Sequence, residues 1–110
     1  MISADAIRGY VDLMALSLLR QAPSYAYQLV QQIAIASGSE YAIKQTTLYT
    51  AVKRLEGAGL VDAFPGESSS GKPRTYYRIT NAGTAHLEHK VAEWQDTKAL
   101  VDRFVEGTDR

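Results

Sequence analysis

The sequence predicts a mainly α-helical fold carrying one small β-hairpin, and three observations predict it. Apolar residues recur at three- and four-residue steps in four separate stretches, the spacing of a helix with one buried face. Between the third and fourth stretches, a β-branched and aromatic segment follows a Gly/Ser-rich turn, as in a hairpin. The 110 residues suit one domain of ordinary size, and 45% hydrophobic with 22% charged residues is a globular composition.

The first helix is expected over residues 5–21, where Ile7, Val11, Met14 and Leu18 share a face that Leu13, Leu16 and Leu19 widen. Pro23 ends it, and Ser24 is placed to cap a second helix from Tyr25 to Ser37. Leu29, Ile33 and Ala36 are its inward residues, and Gly38 is its stop. A connector follows, with a short strand at Tyr41–Ile43 as one option. Thr46 or Thr47 caps a third helix, Leu48–Ala58, with Leu48, Val52 and Leu55 inward and Gly59 at its end. The hairpin comprises LVDAF (60–64), a mobile turn PGESSSGKP (65–73) and the returning strand RTYYRIT (74–80). Thr80 or Asn81 then caps a long helix to about Glu106, whose stripe is Leu87, Val91, Trp94, Val101 and Phe104, widened by Leu100 and Val105.

Charge and composition narrow the function. The net charge is zero, which counts against a protein that coats nucleic acid through bulk positive charge. The charge is uneven, however: residues 1–40 carry −1, residues 41–80 carry +3 and residues 81–110 carry −2. With no cysteine there is no disulfide framework, thiolate zinc site or cysteine nucleophile. No apolar run approaches the ~20 residues of a membrane span, and the start MISADAIRGY lacks a secretory pattern, so a cytoplasmic protein with no membrane partner is expected. An enzyme needs a constellation that the chain lacks. His86, His89 and Glu93 stand at helical spacing but have no evident further metal ligand, and read as solvated side chains. Ser68, Ser69 and Ser70 have no neighbouring base, and Gly57-Ala58-Gly59 is a helix end rather than a phosphate loop. No catalytic residue, metal or cofactor is expected.

The order helix, helix, helix, hairpin, long helix is the plan of a winged helix-turn-helix. Residues 1–80 would form the DNA-binding unit and residues 81–110 a dimerisation helix. The third helix would enter the major groove and the wing would lie on the adjacent backbone. With its apolar face inward, that helix turns Tyr49, Thr50, Lys53 and Arg54 outward, hydroxyls and long cations suited to phosphates and base edges. Thr46 and Thr47 stand at its N-terminus, where hydroxyls and free N–H groups hold phosphate, and Lys72 and Arg74 flank the wing tip. Each residue alone has a plainer reading, as a solvated charge, packing or a cap. Their joint placement on the two elements that would face DNA favours the functional one.

The chain resembles the PadR-like transcriptional regulators. The similarity lies in Tyr25-Ala26-Tyr27-Gln28-Leu29, in Thr47-Leu48-Tyr49 with Arg54-Leu55-Glu56 and Gly59-Leu60-Val61, and in Arg74-Thr75-Tyr76-Tyr77-Arg78-Ile79-Thr80 with Gly83 and Leu87. It covers roughly residues 10–95 and implies a homodimeric winged-helix repressor joined through its C-terminal helix and responsive to a small molecule. Three positions depart from the family pattern: Ala26 replaces a glycine, Thr46 a glycine and Thr50 a proline. The last two change the first turn of the recognition helix and bear on its individual contacts. A winged helix that has lost DNA binding and serves as a protein-interaction module is the alternative.

The final helix is longer and more apolar than a small winged body needs. Its seam, Leu87, Val91, Trp94, Val101 and Phe104, packs either back on the first helix or against a second copy. A two-fold dimer suits palindromic sites about 34 Å apart. Trp94 either packs that interface or lines a cavity for a small aromatic or hydrophobic effector, for which indole offers a broad π-face.

Overall fold

The computed structural model describes residues 2–107, so the last three positions of the expected 81–110 segment lie outside it. The first helical stretch is broken. One turn, α1 (Ala4–Ile7), passes through a 3-10 turn at Arg8–Tyr10 into α2 (Val11–Gln21). Gly9 lies in the break, where its low helix propensity makes the change of winding cheap. The deepest residues of α2 are Val11, Ala15, Leu16 and Leu19, while Met14 and Leu18 of the expected stripe pack at its margin.

Ser24 is not a helix cap. With Tyr25 it forms a two-residue strand, β1, whose Cα partners are Tyr77 and Tyr76. Its buried hydroxyl donates to Gln32 Oε1 at 3.4 Å. Helix α3 (Ala26–Ala36) buries Leu29 and Ile33 as expected, but Ala36 faces solvent. Gly38 and Ser39 both take positive φ (62° and 65°) to reverse the chain. Residues 41–44 form no strand, although Tyr41 and Ile43 are buried. Helix α4 (Gln45–Gly57) starts three residues before the expected Leu48. Its N-cap is Lys44, with no side-chain cap, so Thr46 and Thr47 lie within the first turn. Leu48, Ala51, Val52 and Leu55 face the core.

The sheet is antiparallel in the order β1-β3-β2, with β2 spanning Val61–Glu67 and β3 Pro73–Ile79. Pairing from Val61↔Ile79 to Glu67↔Pro73 shortens the expected turn to its tip. Pro65 is tolerated because β2 is an edge strand, and Gly66 because the Tyr76 ring lies over it. On β3, Tyr77 points into the core and Tyr76 to the outer face.

Thr80 caps the last helix, α5 (Asn81–Val105), accepting from Gly83 N at 3.0 Å while its own hydroxyl donates to Gly59 O at 2.8 Å. Leu87, expected in a seam between copies, is instead fully buried in the core of its own chain. The cap and the close approach of Gly83 to Leu60 draw the first turns of α5 onto the body, which leaves Leu87 no surface to offer a partner. Val91 packs at the margin of the same core. Further along, α5 leaves the body with Leu100, Val101, Phe104 and Val105 exposed. The molecule measures 59 × 30 × 20 Å.

Candidate nucleic-acid interface

Because α4 buries Leu48, Val52 and Leu55, its helical period turns Tyr49, Thr50, Lys53 and Arg54 to solvent. The four are exposed, as are Thr46 and Thr47 in the first turn. Thr50 spends its proton within the helix, donating to Thr46 O at 2.9 Å, so its hydroxyl is left as an acceptor. Neither cation of α4 is free. Lys53 Nζ donates to Glu56 Oε1 at 2.9 Å, and this hydrogen bond, followed by the Glu56 charge, raises the lysine above its ordinary pKa. Arg54 donates to Asp12 of α2, a partner 42 residues earlier in the chain. The first pair stands at i,i+3 on one helix, a spacing the sequence displays although the pair was not expected; nothing in the sequence pointed to the second.

The wing tip closes by Ser68 N–H donating to Lys72 O at 2.8 Å and Gly71 N–H to Ser68 O at 2.9 Å, with Gly71 at φ 83°. Lys72 is exposed there, and no ion pair engages it among the described residues. Arg74, expected beside it, behaves differently. It is half-buried, its guanidinium lies 5.3 Å from the Tyr25 ring centre, and its Nε is buried with no hydrogen-bond partner. The outer face of the sheet continues as a ladder that sequence reading missed. Tyr25 meets Tyr76 edge-on at 5.3 Å, Tyr76 stacks on Phe64 at 5.6 Å, and Arg78 covers Phe64 at 4.6 Å. The alternation of RTYYRIT held the signal, since it puts Arg74, Tyr76 and Arg78 on one face.

Trp94 is half-buried and meets Tyr10 edge-on at 5.1 Å. The two rings border hollows of about 340 and 290 Å³ between α5 and the N-terminal turns. His86, His89 and Glu93 do not gather with other residues into a group able to hold a metal ion, among the described residues. No described helix is long and apolar enough to cross a membrane.

Comparison with known proteins gives this arrangement a family. A transcriptional regulator from Clostridium thermocellum shares 45% identity and superposes with a TM-score of 0.86, over 96% of this chain and 99% of that one. A PadR family transcriptional regulator from Eggerthella lenta shares 34% identity with a TM-score of 0.81, over 93% and 87%. An uncharacterized protein from Lysinibacillus sphaericus is 38% identical over 109 residues, 99% of this chain and 100% of its own length. Residues 15–89 match the sequence profile of the PadR-like transcriptional regulators. That span contains the helix-turn-helix, the wing and the anchored start of α5: the chain belongs to the PadR-like family and is a regulator of transcription rather than an enzyme.

Proposed function

We propose that the chain represses transcription as a homodimer bound to double-stranded operator DNA, with α4 in the major groove and the wing tip on the backbone. The observation that carries this is the exposed polar face of α4, where Tyr49, Thr50 and Lys53 stand opposite the core residues Leu48, Val52 and Leu55. Tyr49 and Lys53 are assigned to base edges, Thr46, Thr47 and Thr50 to phosphates and nearby base edges, and Lys72 to the backbone. Arg54 joins them once released from Asp12. Arg74 supports the wing through Tyr25 and approaches phosphate from its side. The test is binding to DNA upstream of the chain's own gene across a salt series. Affinity should fall steeply with salt through counterion release. Lys72→Ala should weaken all sequences alike, whereas Tyr49→Ala or Lys53→Ala should also blur sequence preference. Binding that is absent, or indifferent to salt, would favour a protein-interaction module.

Residues 1–80 act as the DNA-binding unit, and the segment from Asn81 onward joins two copies. The exposed apolar end of α5 supports this, since Phe104 and Val105 are 73% and 78% exposed. Val101→Asp with Phe104→Asp should yield a monomer in sedimentation; a double variant that stays fully dimeric removes this surface from the interface. Trp94, beside Tyr10 and the two hollows, is the residue against which an aromatic or hydrophobic effector would stack. Such a ligand would act by changing the separation of the two recognition helices. Titration with aromatic compounds while following Trp94 emission tests this role. It fails if no compound that releases DNA quenches saturably.

A further inference from the structure

Both cations of the exposed α4 face are held by carboxylates of the same chain, and in each pair the carboxylate is the more buried partner. Side-chain exposure is 50% for Lys53 against 32% for Glu56, and 58% for Arg54 against 26% for Asp12. The long cations are therefore free to swing outward, while the acids stay behind them. A phosphate that takes Arg54 or Lys53 must displace an anion already in place and then sit beside it. The two anions would lie a few ångströms apart, inside the Debye length of about 8 Å at physiological salt, so salt screens that repulsion only in part.

We propose that Asp12 and Glu56 act as internal competitors of DNA on this face, holding Arg54 and Lys53 in ion pairs that any phosphate or base acceptor must first displace, and so lower the affinity of the chain for duplex. The inference rests on the DNA-binding reading above. Non-specific duplex offers only diffuse phosphate charge, which the internal carboxylates already match, so these two cations add little to non-specific affinity. An operator adds directed acceptors on base edges, for which the chain has no internal substitute. An operator that takes the cations bears the cost of breaking the pairs, and non-specific duplex gains little from them, so the carboxylates hold down both affinities. The same exchange of one anion for another releases few counterions, so neither cation contributes its full share to the salt dependence.

The experiment uses the full chain and its isosteric variants Asp12→Asn, Glu56→Gln and the double variant. Two duplexes of equal length are compared, one enriched by the wild-type protein from a random pool and one scrambled. Removing each carboxylate should tighten scrambled-duplex binding by about three- to fivefold and steepen the log–log salt slope by up to about 0.9. Enriched-duplex binding should tighten at least as much, because it is there that the internal pairs are broken. In an Arg54→Gln background, Asp12→Asn should lose its effect, and Asp96→Asn on α5 should not reproduce it. Unchanged salt slopes with unchanged affinity for both duplexes overturn the proposal, as does an equal effect of Asp96→Asn. Failure of the wild type to enrich or bind any duplex overturns the DNA-binding reading itself, a result distinct from binding that ignores the two carboxylates.

Discussion

Replacing Gly83 by alanine puts the anchoring of α5 under direct strain. A Cβ built there would lie 2.0 Å from Leu60 O and 2.7 Å from Ile79 Cγ1, against an ordinary contact distance of about 3.5 Å. Helix and strand entrance must then separate by more than about 1 Å. Leu60 cannot yield easily, since its N–H donates to Leu55 O at 2.9 Å and its carbonyl accepts from Thr80 N–H at 3.1 Å. Alanine gains up to about 1 kcal/mol of helix propensity over glycine. Against this stand an overpacking cost of about 1–3 kcal/mol and weakening of the Thr80 cap and backbone bond, about 1 kcal/mol each. The net expectation is a loss of about 2–4 kcal/mol, a fall in Tm of about 8–25 °C for a chain of this length. Gly57→Ala supplies the contrast, because a Cβ there meets no atom within 4 Å, and Tm should rise by a few degrees. Circular dichroism melts at one fixed protein concentration measure both. A Gly83→Ala protein melting within about 2 °C of the wild type, or above it, would refute the claim of a rigid approach.

Thr80→Ala removes the acceptor for Gly83 N–H and the donor to Gly59 O, and should cost about 1–2 kcal/mol, read as a lower urea midpoint with an unchanged slope. Gly66→Ala should displace the Tyr76 ring, 2.5 Å from the added carbon, and weaken the Tyr76 hydroxyl bond to Glu67 O, visible as a lower Tm and altered near-ultraviolet dichroism. Burial, foremost, raises the Tyr77 pKa above the ordinary tyrosine value, with the Tyr49 charge adding to it. The folded state then holds the proton more tightly, so this stabilisation is complete below about pH 10 and is lost as pH rises through the folded value. The Tm of the wild type should therefore fall more steeply above pH 10 than that of Tyr77→Phe; parallel profiles would exclude the residue from alkaline unfolding.

The parts of the fold that follow from side-chain period were legible. Leu48, Val52 and Leu55 fixed the inward face of α4 and so its outward residues, and a cap at Thr80 or Asn81 was readable because both precede the apolar period, the structure assigning it to Thr80. Elements decided by contacts distant in sequence were not. The strand at Ser24–Tyr25 is too short to show alternation and exists because Tyr76 and Tyr77 arrive to pair with it. The start of α4 was placed late because Gln45, Thr46 and Thr47 contribute no apolar residue to the period. At the candidate site the exposed positions could be read, but not their engagements. Arg54 looked free until Asp12 was brought to it, and Arg74 looked like a tip residue until Tyr25 lay beneath it. Leu87 illustrates the remaining ambiguity: an apolar stripe shows that one face is covered, without showing by which chain.

The unequal anchoring of α5 gives it the mechanics of a lever. Its fixed end runs from the Gly83–Leu60 contact through the buried Leu87 to Val91 at the core margin, and the arm from Val91 to Val105 is about 21 Å long. A bend of about 5° at Val91 carries the far end through about 2 Å. Trp94 stands near the base of that arm, against Tyr10. A wedge of atomic thickness beside these two rings would thus be delivered, amplified, to the exposed apolar tip. The residues that clamp the base of the arm therefore set its mechanical gain.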